Sequence, residues 1–400
     1  MHRVVITGAG TINPLGHDTA STLRAFQAGN CGIGPLDIPD VDRLSVQIGA
    51  QVKSYDPDAH FSRQEQVLYD RATQFALISG AQAMAQAGGG ITDPHRAGAI
   101  LGTAAGGMQT WDDNYRAVYQ QGKNRVHPFV VPKLMNNAAV SHLSIVHGLM
   151  GPSFTVSTAC ASSNHAMGLA FQMIRSGAAD VMLTGGAEAM LTFGGIKAWE
   201  GLRVMSKTAC RPFCNTRDGM VQGEGAGVFV FERRDHAINR GAEILAEVAG
   251  FAMGADASDI VAPSRTGAVR CMQAALGDAG VNPGDVGYIN AHGTGTTLND
   301  KTEAAAINDV FGPNVADMAV SSTKAMHGHL IGATGAVELL ACIMALRDHV
   351  IAPTIGHVEP DPDINLNITA NTATHKPVDV AISNAMAFGG LNAVLVLKRG

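Results

Sequence analysis

The chain lacks a basic excess. Its 28 Lys and Arg are outnumbered by 34 Asp and Glu, a formal net charge of −6, so the electrostatic footprint of a wholesale nucleic-acid binder is missing. A local basic patch stays open. It also lacks any apolar run of ~18 residues, the length that a membrane-spanning helix needs. The opening residues, MHRVVITGAG, show none of the charged, apolar and small-residue pattern of a secretory signal. They read instead as a strand followed by a tight glycine turn. Cysteine is sparse and scattered: Cys31, Cys160, Cys210, Cys214, Cys271 and Cys342 are all there are in 400 residues. Such spacing reads as free thiols in a reduced, cytoplasmic protein.

What is present points to a layered body. The length exceeds one ordinary domain, and 46% hydrophobic residues with 47 glycines let helices pack closely on sheets. Short, apolar, β-branched runs at residues 3–7, 97–101, 153–157, 180–184, 227–232, 286–290, 318–322, 378–383 and 393–398 read as strands. Helical spacing recurs at 65–87, 132–148, 161–176, 267–279, 300–310 and 333–347. Buried strands alternating with helices predict an α/β architecture with mainly parallel sheets. The run SFTVST into Cys160 and a small-residue helix is echoed by MAVSST, then KAMHGH, then a second small-residue helix. The echo suggests two similar halves, residues 1–245 and 246–400.

Four segments carry groups able to do chemistry. In the first, Ala166, Met167, Ala170, Met173 and Ile174 form a buried helical stripe ended near Gly177. Cys160 then stands at a helix start, where unpaired N–H groups and the macrodipole favour a thiolate. The placement resembles a nucleophile elbow with Cys in place of Ser, although a cysteine in an apolar setting is more often structural. In the second, NAHGTGT brings His292, Thr294 and Thr296 to a strand end, with glycines that allow close backbone approach. In the third, SSTKAMHGH packs Lys324, His327 and His329 between a strand and an apolar helix. Those two histidines lack a carboxylate or cysteine at ligand spacing, so no metal site is assigned, and no cofactor. Cys210 and Cys214 lack a matching second pair. In the fourth, NAMAFGG places Phe388 in a glycine-rich turn between two strands. Gly8 and Gly10 do not make a dinucleotide fingerprint, because the third glycine and the acidic second-strand end are missing.

Together TACASS, NAHGTGT, SSTKAMHGH and NAMAFGG resemble the elongating β-ketoacyl-acyl-carrier-protein synthases. VVITGAG, HPFVVP, GGAEAM and RPFCNTRDGMVQGEGAG extend the likeness over essentially the whole chain, in order. The resemblance implies a thiolase-like fold of two duplicated halves in five α/β/α/β/α layers, usually a homodimer. It implies Cys160, His292 and His329 as the catalytic set, Lys324 beside them and Glu338 as a supporting carboxylate. Phe388 corresponds to an aromatic gate, whose N–H with that of Cys160 would form an oxyanion hole. The implied reaction is decarboxylative condensation of malonyl-carrier with an acyl group on Cys160.

The partner so implied, acyl carrier protein, is acidic. Arg63, Arg125, Arg203 and Lys207 lie in segments resembling the family's docking rim. Departures from the pattern are His327, where relatives carry a small polar residue, Ala387 in place of glycine, and Ala105 and Trp199 in the acyl pocket. They leave chain length open, and with it a specialised role in nodulation or secondary lipid synthesis. A degradative thiolase would need a second catalytic cysteine where Phe388 or His329 stands. A non-catalytic chain-length partner would lack the nucleophile.

Overall fold

The computed structural model describes residues 1–400. Ten strands form its main sheet: β1 (Val4–Ile12), β2 (Ala97–Gly102), β3 (Ser153–Val156), β4 (Val181–Glu188), β5 (Gly225–Arg233), β6 (Ala246–Ala255), β7 (Tyr288–Asn290), β8 (Ala319–Ser321), β9 (Val380–Ala387) and β10 (Leu391–Lys398). Their spatial order is β8-β7-β9-β10-β6-β1-β5-β4-β2-β3. From the centre outwards each group of five runs in the same way, first strand, fifth, fourth, second, third. Parallel pairing holds β2 to β3 and β4, and equally β7 to β8 and β9. The fourth–fifth and fifth–first pairs are antiparallel in both groups. The two groups join where Val4–Ile6 of β1 meets Ala246–Val248 of β6.

Helices make the remaining layers. α1 (Arg71–Gln86) covers the outer face of the first group, and α3 (Arg265–Ala279) with α4 (Thr297–Phe311) covers that of the second. Between them lie α2 (Ser162–Arg175) and α5 (Thr334–Asp348), which touch each other and strands of both groups. Every residue of α5 from Thr334 to Leu346 is buried, as expected of a helix apolar all round. The largest apolar cluster, 43 residues, sits in this middle layer because its helices face a sheet on either side. The architecture is thus the thiolase-like α/β/α/β/α stack. No helix is long and apolar enough to cross a membrane.

Several element bounds differ from the reading above. The glycine turn at residues 8–10 is strand: β1 continues through Gly8 and Gly10 to Ile12. A Cβ at either glycine would collide with a carbonyl oxygen of α1 (Ala83 or Ser79), so these positions let the helix lie on the sheet. The helix expected over 65–87 is two, Arg63–Leu68 and α1, broken where buried Asp70 accepts from the N–H of Ala72 and from Thr110. The one expected over 132–148 is likewise two, Val130–Leu134 and Ala138–His147.

Candidate active site

Both halves enter the central helix through the same strained step. Ala159 and Ile331 each have φ of +48°, and each stands three residues before its helix, α2 and α5. A non-glycine residue there, above all a β-branched one, is held by its surroundings. The first elbow is held by Ser162: its hydroxyl accepts from the Thr158 N–H at 2.9 Å and donates to the Ala159 carbonyl at 2.7 Å. Cys160 follows directly, in a single 3₁₀ turn ahead of α2, and is 6% exposed. Burial pushes its thiol up to about 11; the Lys324 charge and the backbone N–H groups of Phe388 and Cys160 pull it down without prevailing. Burial thus works against the thiolate that the helix start favours.

His292 stands just past the end of β7 and His329 just before the second elbow. The Cys160 sulfur and a ring nitrogen of each lie within 4.8 Å of one another. The Ile331 N–H donates to His329 Nδ1 at 3.0 Å, and the Thr334 hydroxyl lies 2.9 Å from the same atom. Nδ1 therefore accepts, which assigns the proton to Nε2, an atom buried without a protein partner. Burial, then the Lys324 charge, holds both imidazoles well below the usual histidine range. The site thus offers neutral N–H donors beside a thiol. The same tautomer disfavours a metal: a ligating histidine donates through its other nitrogen, whereas here that nitrogen faces a fixed N–H.

Lys324 is fully buried. Its ammonium donates to the His292 carbonyl and, at 2.6 Å, to Glu338. Burial pushes Glu338 up to about 7, with Lys324 opposing. Glu303 of α4 accepts from the backbone N–H groups of His292 at 2.8 Å and Gly293 at 2.7 Å, fixing the loop that carries the imidazole.

Comparison with known proteins agrees with this geometry. The family model "Beta-ketoacyl synthase, N-terminal domain" matches residues 1–237 and "Beta-ketoacyl synthase, C-terminal domain" matches residues 245–358. The chain belongs to the β-ketoacyl synthase family. Nodulation protein E of Rhizobium leguminosarum bv. trifolii is 45% identical over 399 residues, 99% of each chain. 3-oxoacyl-[acyl-carrier-protein] synthase 2 of Staphylococcus aureus (strain N315) is 40% identical over 406 residues, covering 99% of this chain and 98% of its own. Among solved structures, the ishigamide ketosynthase/chain length factor superposes with a TM-score of 0.95 at 33% identity, covering 100% of this chain and 99% of that one. A type II PKS ketosynthase bound to the hexaketide, in complex with its acyl-carrier protein, does so with a TM-score of 0.91 at 29% identity, with 100% and 99% covered. The protein is a ketosynthase, a condensing acyltransferase.

In this β-ketoacyl synthase a cavity of about 120 Å³ opens on the sulfur, lined by Cys160, His292, His329, Thr294, Thr296 and Phe388 among others. The hydroxyls of Thr294 and Thr296 are 2.8 Å apart. Trp199 lines the same cavity and stacks on Phe388, centroids 5.8 Å apart and planes at 22°. Ala105 does not line it: it is half-buried in the neighbouring apolar cluster with Met190, Leu191 and Ile196. Arg63, Arg125, Arg203 and Lys207 are all exposed, and Arg203 adjoins the cavity-lining Val204. His327 is saturated, with Nδ1 2.8 Å from the Gly328 carbonyl and Nε2 2.9 Å from the Thr323 hydroxyl. It is buried behind the site rather than in it.

The sequence reading passed over the buried carboxylates Glu188, Asp300 and Glu303. Asp300 accepts from the N–H groups of Phe213 and Gly295. Glu188 stands inside GGAEAM, and Asp300 and Glu303 soon after NAHGTGT, but all three act chiefly on backbone and none has an obvious chemical role.

Proposed function

We propose that the synthase performs decarboxylative Claisen condensation, joining an acyl group held on Cys160 to the two-carbon unit of malonyl-acyl-carrier-protein. The observation that carries the reading is the convergence of the Cys160 sulfur and two neutral imidazoles within 4.8 Å. Cys160 attacks the acyl thioester, and the carrier thiol leaves with a proton. Loss of CO₂ from the malonyl group then leaves an enolate, whose oxygen accepts from His292 and from Nε2–H of His329. The enolate carbon attacks the acyl-Cys160 carbonyl. The resulting oxyanion rests on the N–H groups of Cys160 and Phe388 before Cys160 departs and 3-oxoacyl-carrier is formed. Lys324 and Glu338 act on the electrostatics and on the His292 carbonyl, not on the substrate.

The primary reading is fatty acid elongation, supported by the 40% identity to 3-oxoacyl-[acyl-carrier-protein] synthase 2. The second is a specialised lipid ketosynthase, favoured by the 45% identity to Nodulation protein E and by Trp199 over the cavity. In either, nucleophile and imidazoles divide between residues 1–245 and 246–400, and acyl carrier protein is the partner. The working unit is a homodimer: β3 is an unpaired sheet edge, and Val131, Ile145, Val146 and Met150 nearby in sequence are 55–74% exposed.

Incubation with malonyl-carrier and acyl-carriers of graded length, followed by mass measurement of products and peptide mapping, tests the reading. Products two carbons longer, with the acyl group on Cys160, are expected. Acylation of Cys31, Cys210, Cys214, Cys271 or Cys342 in place of Cys160 would refute it. Acceptance only of unusual chains would select the specialised reading.

A further inference from the structure

Glu188, the last residue of β4, joins the loop after β2 to the second elbow without touching a reacting atom. It is fully buried, and each of its oxygens has two donors. Oε1 accepts from the Thr103 hydroxyl at 3.0 Å and the Ala105 N–H at 3.3 Å. Oε2 accepts from the Ala104 N–H at 2.7 Å and the Gly332 N–H at 3.1 Å. The next peptide group is held through the Gly332 carbonyl, which accepts from the hydroxyl of Ser163.

Gly332, held through both its N–H and its carbonyl, links the two halves of the site. Ser163 stands three residues after Cys160, and Gly332 three after His329. Ile331, strained and bonded directly to Gly332, supplies the N–H that fixes the His329 tautomer. The fit leaves no slack, for a Cβ at Gly332 would lie 2.5 Å from both Ala104 N and Glu188 Oε2. We propose that Glu188 is a positioning residue for condensation: with the Ser163 hydroxyl it clasps Gly332 on both of its flanking peptides and so sets the distance and tautomer of His329 relative to the Cys160 sulfur. The inference rests on the roles proposed above for those two residues.

The clasp needs a carboxylate. Four donors saturate its acceptor sites, and an amide of the same shape would turn N–H bonds toward N–H groups. Burial pushes Glu188 up to about 7, and those four donors oppose it by favouring the charged form. The charge also reaches the nucleophile: of the ionisable groups acting on the Cys160 sulfur, Lys324 lowers its pKa and Glu188 raises it, while His292 and His329 are neutral.

The test uses the full-length enzyme and the variants Glu188→Gln and Ser163→Ala. Acyl loading of Cys160 is read by mass, the loaded enzyme is mixed with malonyl-carrier for a single turnover, and Cys160 alkylation is followed against pH. Misplacement by ~1 Å costs about 100-fold. The condensation step of both variants is expected to fall by about that factor, with loading and carrier KM close to wild type. The alkylation midpoint should move down in Glu188→Gln only, because that variant alone removes a negative charge near the sulfur. Condensation near the wild-type rate, or an equal loss of loading and condensation, would overturn the proposal. Should Glu188→Gln fail to fold, Ser163→Ala keeps the carboxylate and decides on its own. A wild-type enzyme that does not load Cys160 would instead bring down the ketosynthase reading, and the clasp with it.

Discussion

On the proposed function, a buried thiol beside two neutral imidazoles separates the demands of the two half-reactions. Acyl transfer needs only that Cys160 shed its proton as it attacks and that backbone N–H groups receive the oxyanion. Decarboxylation needs donors aimed at a new oxygen, and removing one such donor typically costs about 2.7–4 kcal/mol. His292→Ala and His329→Ala are therefore expected to slow CO₂ release from malonyl-carrier by ~10²–10³ while retaining part of the Cys160 acylation. Either variant releasing CO₂ at the wild-type rate would remove that histidine from the enolate step. At this scale the sequence was informative where a motif fixes the group and silent where burial does. Cys160, His292, His329 and Lys324 stand in dense local motifs at strand ends. The thiol's high pKa and the bracing by Glu188 and Glu303 depend on which backbone donors and how much apolar mass surround them, which chain-local spacing does not encode.

The elements show the same division. Helices α2 and α5 were legible because small and apolar residues recur on every face of a segment that both groups of strands must cover. Strand β6 was missed: Glu247, Gly250 and Gly254 interrupt an otherwise alanine-rich run of low β-propensity. It is a strand because it joins β1 on one side and β10 on the other. The break at Asp70 was hidden in helical spacing that continues through it, since a buried side chain from the chain's first third caps α1 and receives Thr110 from far along the sequence. The glycines of β1 looked like a turn because their reason lies across the layer, in α1. Gly10→Ala tests that reason: its Cβ would meet the Ser79 carbonyl, and overpacking of this kind costs about 1–3 kcal/mol. Urea unfolding is expected to show a lower midpoint with little change in slope, whereas an unchanged midpoint would mean that α1 can shift away at no cost.

For the molecule as a whole, the repeated strand order explains how one chain builds a site from two sources. Each half enters its central helix through a strained residue; one half places Cys160 just after it and the other His329 just before it, and the central helices hold the two together. The resulting body is net negative by six charges, and on the proposed function an acidic carrier must approach it. Long-range repulsion would slow that encounter unless exposed cations near the mouth reverse it locally. Arg203 adjoins the cavity rim, and Arg125 lies in an exposed stretch. Rim charges act chiefly on encounter and are screened over roughly 8–10 Å at ordinary ionic strength. Reversal of both, Arg125→Glu with Arg203→Glu, is expected to raise the carrier KM several-fold at low salt, with the difference shrinking as salt is added. Turnover of a small carrier-free thioester should stay nearly constant, because that substrate carries no acidic surface. Equal losses on carrier and carrier-free substrates would assign the two arginines to the fold or the cavity, and the acidic partner would have to approach by another face.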